Sequence, residues 1–312
     1  MEQDIHDHRA RRAVRETRDL FDDVAGVYDR TGVAFFGPVG ERLVRLAALR
    51  RGEAVLDIGC GRGAVLFPAA RALGTGGTAT GIDISAAMVE ATRAEARAAG
   101  LDTVGVLVGD GQAPGFPPGT FDAVTGGMSV HMLPDPAAAF RAYRRLLRPG
   151  GRLALSAPAT VHRPEPEVFG LRSIARAAAA YAGGSGVYPY GEPFGGARHA
   201  RAALLGAGFA EVEIHQETAY ITARTAGQFL RWTRTHGMRR LWERIPPDRC
   251  PGIEEAIGAE AQARSAAADR IALRVPVTYV IARTPPGPPT PPPDPLDTAD
   301  PAEPDVFAPE EQ

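Results

Sequence analysis

The chain has 312 residues, 44% of them hydrophobic, and a formal net charge of −2, which is material for one large domain or two. All 35 basic residues are arginine, so Schiff-base chemistry and a lysine base are excluded. No apolar run approaches the ~20 residues that cross a bilayer, and the charged stretch Met1–Arg9 lacks the apolar core of a secretory signal.

Charge is unevenly placed. Seven acids and no base follow Arg283, so residues 1–283 carry +5; this is modest for a body of that size and argues against a nucleic-acid partner. The two cysteines, Cys60 and Cys250, form no disulfide framework and fit a reducing cytoplasm. Neither H-x-x-H nor C-x-x-C spacing occurs, so no metal site is expected.

In chain order, helical spacing over 9–29 (Val14, Leu20, Phe21, Val24) leads to a second helix, Gly40–Leu49. Strands and helices then alternate: strand 54–58, helix 62–73, strand 77–82, helix 85–99, strand 104–109, strand 121–126, helix 136–147 and strand 151–156. Ser85 suits an N-cap, Gly100 a helix stop, and Pro149-Gly150-Gly151 a turn. Such alternation predicts an α/β fold, a Rossmann-like, doubly wound and mostly parallel sheet covered on both faces. The rhythm lapses over 158–195, returns with helix 197–206 and strand 209–217, lapses again over 218–269, and closes with strand 271–283. Pro276 is expected near an edge or a strand start. Residues 284–312 hold eleven prolines and seven acids, a disordered tail by composition.

The most informative stretch is Ala54-Val-Leu-Asp-Ile-Gly-Cys-Gly-Arg-Gly63, a short buried strand running into alternate glycines. Glycine permits positive φ and lets a ligand approach the backbone closely. Gly59, Gly61 and Ala64 fit the dinucleotide pattern G-x-G-x-x-A. The same residues fit D-x-G-x-G-x-G, and Asp57 decides between the two: a carboxylate there repels a pyrophosphate but suits a ligand bearing an ammonium group. Two more predicted strands end in acids, Asp83 and Asp110. The first stands where a ribose offers its hydroxyls; the second, with the Gly111 amide, is placed for an adenine.

Taken with Phe121-Asp-Ala-Val124, Leu146-Leu-Arg-Pro-Gly-Gly151 and Phe21-Asp-Asp-Val-Ala-Gly-Val-Tyr-Asp29, these motifs resemble the class I S-adenosylmethionine-dependent methyltransferases, in their ubiquinone/menaquinone-biosynthesis-like small-molecule branch. The resemblance implies S-adenosyl-L-methionine as cofactor. It assigns Tyr28 to the methionine carboxylate, Asp57 with the Gly59–Gly61 backbone to the methionine end, Asp83 to the ribose, and Asp110 with Gly111 to adenine. Ile84 and Met128 join the expected cofactor contacts. It also implies a seven-stranded sheet with an antiparallel last strand. In this reading residues 1–50 close over the cofactor, 51–157 and 196–283 form the core, and insertions 158–195 and 218–269 build a helical cap.

The stretch Thr125–Asp135 follows the fourth strand and should pass the reactive methyl, which makes His131 the first candidate base. His236, four residues beyond Trp232 on the predicted cap, is the second. Trp, Phe, Tyr and Met in the cap suit a small, partly apolar acceptor, with O-methylation the leading expectation and N- or C-methylation behind it. Two other readings remain open here: a protein of this fold that only binds the cofactor or catalyses cyclisation, and a nucleotide-dependent oxidoreductase.

Overall fold

The computed structural model describes residues 2–159, 167–181, 194 and 196–287, with side chains from Arg12 onward. Seven strands form one sheet: β1 (Ala54–Ile58), β2 (Thr78–Asp83), β3 (Val104–Val108), β4 (Phe121–Gly127), β5 (Leu147–Pro158), β6 (Glu211–Ala223) and β7 (Ile271–Arg283). Their order is β3-β2-β1-β4-β5-β7-β6. The first five run parallel to one another, and β7 runs antiparallel to both β5 and β6. Strand order reverses between β1 and β4, which opens a crevice at the carboxyl ends of the strands.

Alternation along the central strands splits the core between the two faces. Ala154, Tyr279 and Ile281 face one cluster, shared with α2 (Phe36–Ala47), α6 (Arg172–Tyr181) and α8 (Ala226–Thr233). Leu153, Leu155, Val280 and Ala282 face the other, shared with α5 (Pro136–Leu146) and α7 (Gly196–Gly206). Local chemistry sets the helix ends. Ser85 caps α4 (Ala86–Ala98) by accepting from Met88 N at 3.0 Å, and Gly100, at φ 64°, follows its last turn. Asp135 accepts from Ala138 N at 2.9 Å to start α5.

Several features differ from the sequence reading, among them the first two helices, which span Glu2–Val24 and Phe36–Ala47 rather than 9–29 and Gly40–Leu49. The helix after the glycine loop, α3, spans Leu66–Leu73 rather than 62–73, because Gly61 and Gly63 take positive φ and keep the loop out of the helical basin. Strand β6 runs to Ala223, not 217, as Thr218–Ala223 pair with Ile271–Pro276; the thirteen-residue β7 supplies a template that local pattern does not reveal. Pro276 lies in an interior strand, not at an edge, and its carbonyl accepts from Ala159 N at 2.9 Å. In an antiparallel pair a residue's N and O share a flank, so its missing N–H faces the side where the β5 ladder ends, at the Pro158–Val277 pair. The body also continues past Arg283. Thr284 is buried and donates through its hydroxyl to Arg148 O at 2.9 Å, and Gly150 N donates to Pro285 O at 2.9 Å. Residues 288–312, the rest of the proline-rich tail, lie outside the described residues, as do 160–166 and 182–193 of the first insertion.

The expected Pro149-Gly150-Gly151 turn interrupts β5. Leu147 pairs with Phe121 and Arg152 with Ala123, so four residues loop out between them.

Candidate active site

A cavity of about 760 Å³ opens at the carboxyl ends of β1, β2, β3 and β4, toward the large end of the ~300–1,000 Å³ typical of ligand sites. One wall is the sheet: Gly59, Gly61, Asp83, Ile84, Asp110 and Gly111. A second is α1 (Glu2–Val24), through Val14, Thr17, Leu20 and Phe21. The third belongs to the insertions: Phe169, His236, Met238, Arg240, Leu241 and Arg244. Met128, His131 and Met132, after β4, border the same space.

The sheet wall is built from groups already held by the protein. Gly59 and Gly61 have φ of 62° and 48°. A Cβ on Gly59 would lie 2.6 Å from Ser129 Cβ, and Ser129 in turn donates to Ile58 O at 2.6 Å. Asp83 accepts from Gly61 N at 2.8 Å and Ser85 N at 3.0 Å, so the acid ending β2 positions the loop after β1. Asp110 accepts from Gln112 N at 2.8 Å, and Tyr143 donates to Gly111 O at 2.6 Å. An alanine at 111 would put its Cβ 2.9 Å from Ile58 Cγ2, which accounts for glycine at that position.

Asp57 does not line the large cavity. It lies beneath the loop, 1% exposed, accepting from Thr125 Oγ1 at 2.8 Å and from the Leu66 amide at the start of α3. Together with Asp29 it borders an adjoining pocket of about 30 Å³, which shares Tyr28, Phe36, Gly59, Gly61 and Met128 with the main cavity. Burial pushes the Asp57 carboxyl up to about 7 and Asp29 up to about 6; burial also raises Asp83. Asp83 and Asp110 border the main cavity and Asp57 the adjoining pocket, where Arg62 is already engaged by Ala25 O and Glu95. A pyrophosphate would lie against this cluster of carboxyl groups. A ligand with an ammonium group, ribose hydroxyls and an adenine finds a charge partner, acceptors and close backbone, so the residues present fit S-adenosylmethionine.

Tyr28 lies over this loop, its ring edge 3.8 Å from a Cβ position at Gly61, and stacks on Phe36 with centroids 5.3 Å apart. Arg62 ties the same loop to the N-terminal segment, donating to Ala25 O and to Glu95, which also pairs with Arg30. Met128 holds φ 53°, uncommon for a side chain of its size, and donates its amide to Ser156 O at 3.0 Å. Strain of this kind concentrates at functional loops.

Both candidate histidines reach the cavity. His131 lies on a single 3-10 turn, Val130–Met132, 7% exposed, and burial pushes its imidazole down to about 4. His236 is 5% exposed, packed against Trp232 (4.3 Å), Phe169 (5.2 Å) and Phe36 (5.9 Å), and burial pushes it down to about 3. Its Nδ1 accepts a long bond from Met238 N at 3.5 Å, which assigns the proton of the neutral ring to Nε2. Trp232 and Trp242 are core residues, in one cluster with α2 and β7: both are buried, neither lines the cavity, and Trp242 Nε1 donates to Thr233 at 3.0 Å. His162 lies outside the described residues.

Residues 55–151 match the family described as a methyltransferase domain. Over 281 residues the chain is 42% identical to a nocamycin O-methyltransferase of Saccharothrix syringae, covering 86% of this chain and 98% of that protein. The chain belongs to the S-adenosylmethionine-dependent methyltransferases. This methyltransferase is also 46% identical over 144 residues to the aklanonic acid methyltransferase DauC of a Streptomyces species, covering 46% of the chain and 66% of that protein. Among solved structures it is similar to the [4+2]-cyclase SpnF, with a TM-score of 0.50, 26% identity, and coverage of 79% and 81% of the two chains. The longer and closer likeness is to a methyl-transferring enzyme, and the cofactor of this methyltransferase is S-adenosylmethionine.

Sequence reasoning missed several residues that shape the site. Phe35, Phe36 and Phe169 line the cavity, and Ser129 and Arg62 brace the glycine loop. The Phe35-Phe36 pair, soon after Tyr28, was a visible signal; Ser129 and Arg62 act through contacts that no spacing encodes. No group of His, Cys, Asp and Glu among the described residues is arranged to hold a metal ion, and no described helix is long and apolar enough to cross a membrane.

Proposed function

We propose that this enzyme methylates an oxygen of a small, largely apolar metabolite of secondary metabolism. The observation that carries this reading is one continuous cavity, with carboxylates and glycine backbone on its sheet wall and Phe169, Met238 and Leu241 on its insertion wall. The names of the two relatives, a nocamycin O-methyltransferase and an aklanonic acid methyltransferase, point the same way. The unpaired Cys60 and Cys250 fit a reducing cytoplasm, and the small charge excess of the body fits a small-molecule rather than a nucleic-acid acceptor.

When bound, S-adenosylmethionine supplies a methyl group on a sulfonium together with its leaving group. Tyr28, Asp57, Gly59 and Gly61 would hold the methionine end, Asp83 and Ile84 the ribose, and Asp110 and Gly111 the adenine, with Met128 a further contact. The protein's share is alignment and exclusion of water, worth up to ~7–11 kcal/mol of a barrier. Helix α1 and the insertions wall the cavity on the sides the sheet leaves open. His131 is unprotonated at neutral pH and takes the acceptor's proton. With its basicity lowered by burial it suits an acidic hydroxyl, a phenol or enol, better than an alcohol. His236 carries its proton on Nε2 and acts as a donor that orients the acceptor oxygen.

Incubation with methyl-labelled cofactor and a panel of phenolic, enolic and amine acceptors, followed by mass spectrometry of the labelled product, tests this reading. Label on oxygen is expected; label on nitrogen or carbon alone would overturn it. His131→Ala should lower kcat by about 10²-fold, the lower range for a general base, with S-adenosylhomocysteine affinity unchanged. His236→Gln, which keeps an N–H donor, should retain more activity than His236→Ala. Equal losses in those two variants would return His236 to the role of base.

A further inference from the structure

Among the described residues, two buried polar atoms on the insertion wall of the cavity have no hydrogen-bond partner: His236 Nε2 and Arg240 Nη2. They are four residues apart in one segment, the loop before α9 (Arg239–Arg244) and its first turn. Both are donors. The guanidinium is always charged and donor-only, and the imidazole presents N–H because Met238 N occupies its other nitrogen. Buried donors are almost always satisfied in native proteins, because leaving one unmet forfeits its hydration with nothing in return. Two unmet donors facing one ligand space therefore describe the ligand as a supplier of acceptors.

The surroundings sharpen that description. The acid on α1 nearest this wall, Glu16, is engaged by Arg12 at 2.7 Å. Arg240 and Arg244 also act on its charge. The opposite, glycine-loop end is separated from His236 by the Tyr28–Phe36 stack, with Phe36 5.9 Å from the His236 ring. The donors thus belong to the acceptor side, and Phe169, also against His236, gives that side an aromatic wall.

Building on the methyl-transfer reading, we infer that the acceptor is an aromatic acid bound as an anion, its carboxylate anchored by Arg240 beside the acceptor oxygen that His236 Nε2–H orients. Arg240 acts as a specificity-determining anchor and takes no part in the proton transfer. A charge-assisted pair in this partly desolvated position distinguishes an acid from its neutral isostere more strongly than the apolar walls can.

The test uses the full-length protein saturated with S-adenosylhomocysteine and two fluorescent probes sharing one ring system, anthracene-9-carboxylate and anthracene-9-methanol. Wild type should bind the carboxylate at least tenfold more tightly. Arg240→Met should abolish that preference and leave the neutral probe's affinity unchanged, and Arg240→Lys should retain part of it. Calorimetry with S-adenosylhomocysteine on each variant reports folding and the cofactor site separately. Loss of cofactor binding in the wild type would break the methyltransferase reading, whereas the anchor fails on its own terms if the cofactor binds normally. Equal affinity of wild type for the two probes, no binding of the carboxylate, or a parallel loss of both probes in Arg240→Met would overturn the anchor.

Discussion

The two ends of the cavity are built on opposite plans. At the sheet end nearly every polar group is already bonded before a ligand arrives: Asp83 to Gly61 N and Ser85 N, Asp57 to Thr125 and Leu66, Gly111 O to Tyr143. At the insertion wall most side chains are apolar, and His236 Nε2 and Arg240 Nη2 wait unpaired. The difference teaches how one fold serves one cofactor and many acceptors. A prearranged backbone cradle cannot change without losing the cofactor, while an apolar chamber with a few free donors changes specificity by single substitutions.

The sharpest way to break this contrast is Gly59→Ala. Its Cβ would collide with Ser129 Cβ, and its φ of 62° is costly for any L side chain. At roughly 3 kcal/mol for clash and strain together, S-adenosylhomocysteine affinity should fall about 100-fold by calorimetry. A Ser129→Gly second substitution should return part of it. If Gly59→Ala binds normally, the loop is not a rigid cradle.

Next in size is Asp83→Ala. It removes the loop tie to Gly61 N along with the expected ribose acceptor; at about 1.5–3 kcal/mol for bonds to a charged group, affinity should drop at least tenfold. Unchanged affinity would show that the acid only ends a strand.

Smallest and most diagnostic is the response to pH. Asp57 and Asp29 are raised to about 7 and about 6 by burial, so below those values they are protonated in the free protein. The cofactor's ammonium favours their charged forms, and binding at low pH must first remove protons. Affinity for S-adenosylhomocysteine should therefore climb with pH and level off above 7, falling roughly tenfold from pH 7.5 to 5.5. Asp57→Asn should flatten the slope. A flat profile in the wild type would remove both acids from the ammonium's surroundings.

How much of this was readable in advance varies with the range of the interaction. The glycine loop, the three strand-end acids, the cap at Ser85 and the stop at Gly100 all follow from neighbours within a few residues, and they stand where the chain's own pattern put them. The strand pairing of Thr218–Ala223 was hidden because it depends on β7, some fifty residues later in the chain. Ser129 beneath Gly59 and Arg62 on Ala25 and Glu95 were hidden for the same reason. His131 and His236 were nameable as candidates, but their tautomers, burial and depressed basicity belong to the packing around them.

By itself, then, the sequence determined the alternation of elements and hence the doubly wound sheet, the cofactor class, and the residues at the ends of its strands. These depend on backbone freedom, period and local capping, which are written in short windows. The tertiary structure alone decided which distant side chains share the acceptor chamber and which donors are left unmet there. Packing brings together residues from α1, the β4 loop and two separate insertions, and a polar atom's lack of a partner exists only once everything around it has been placed.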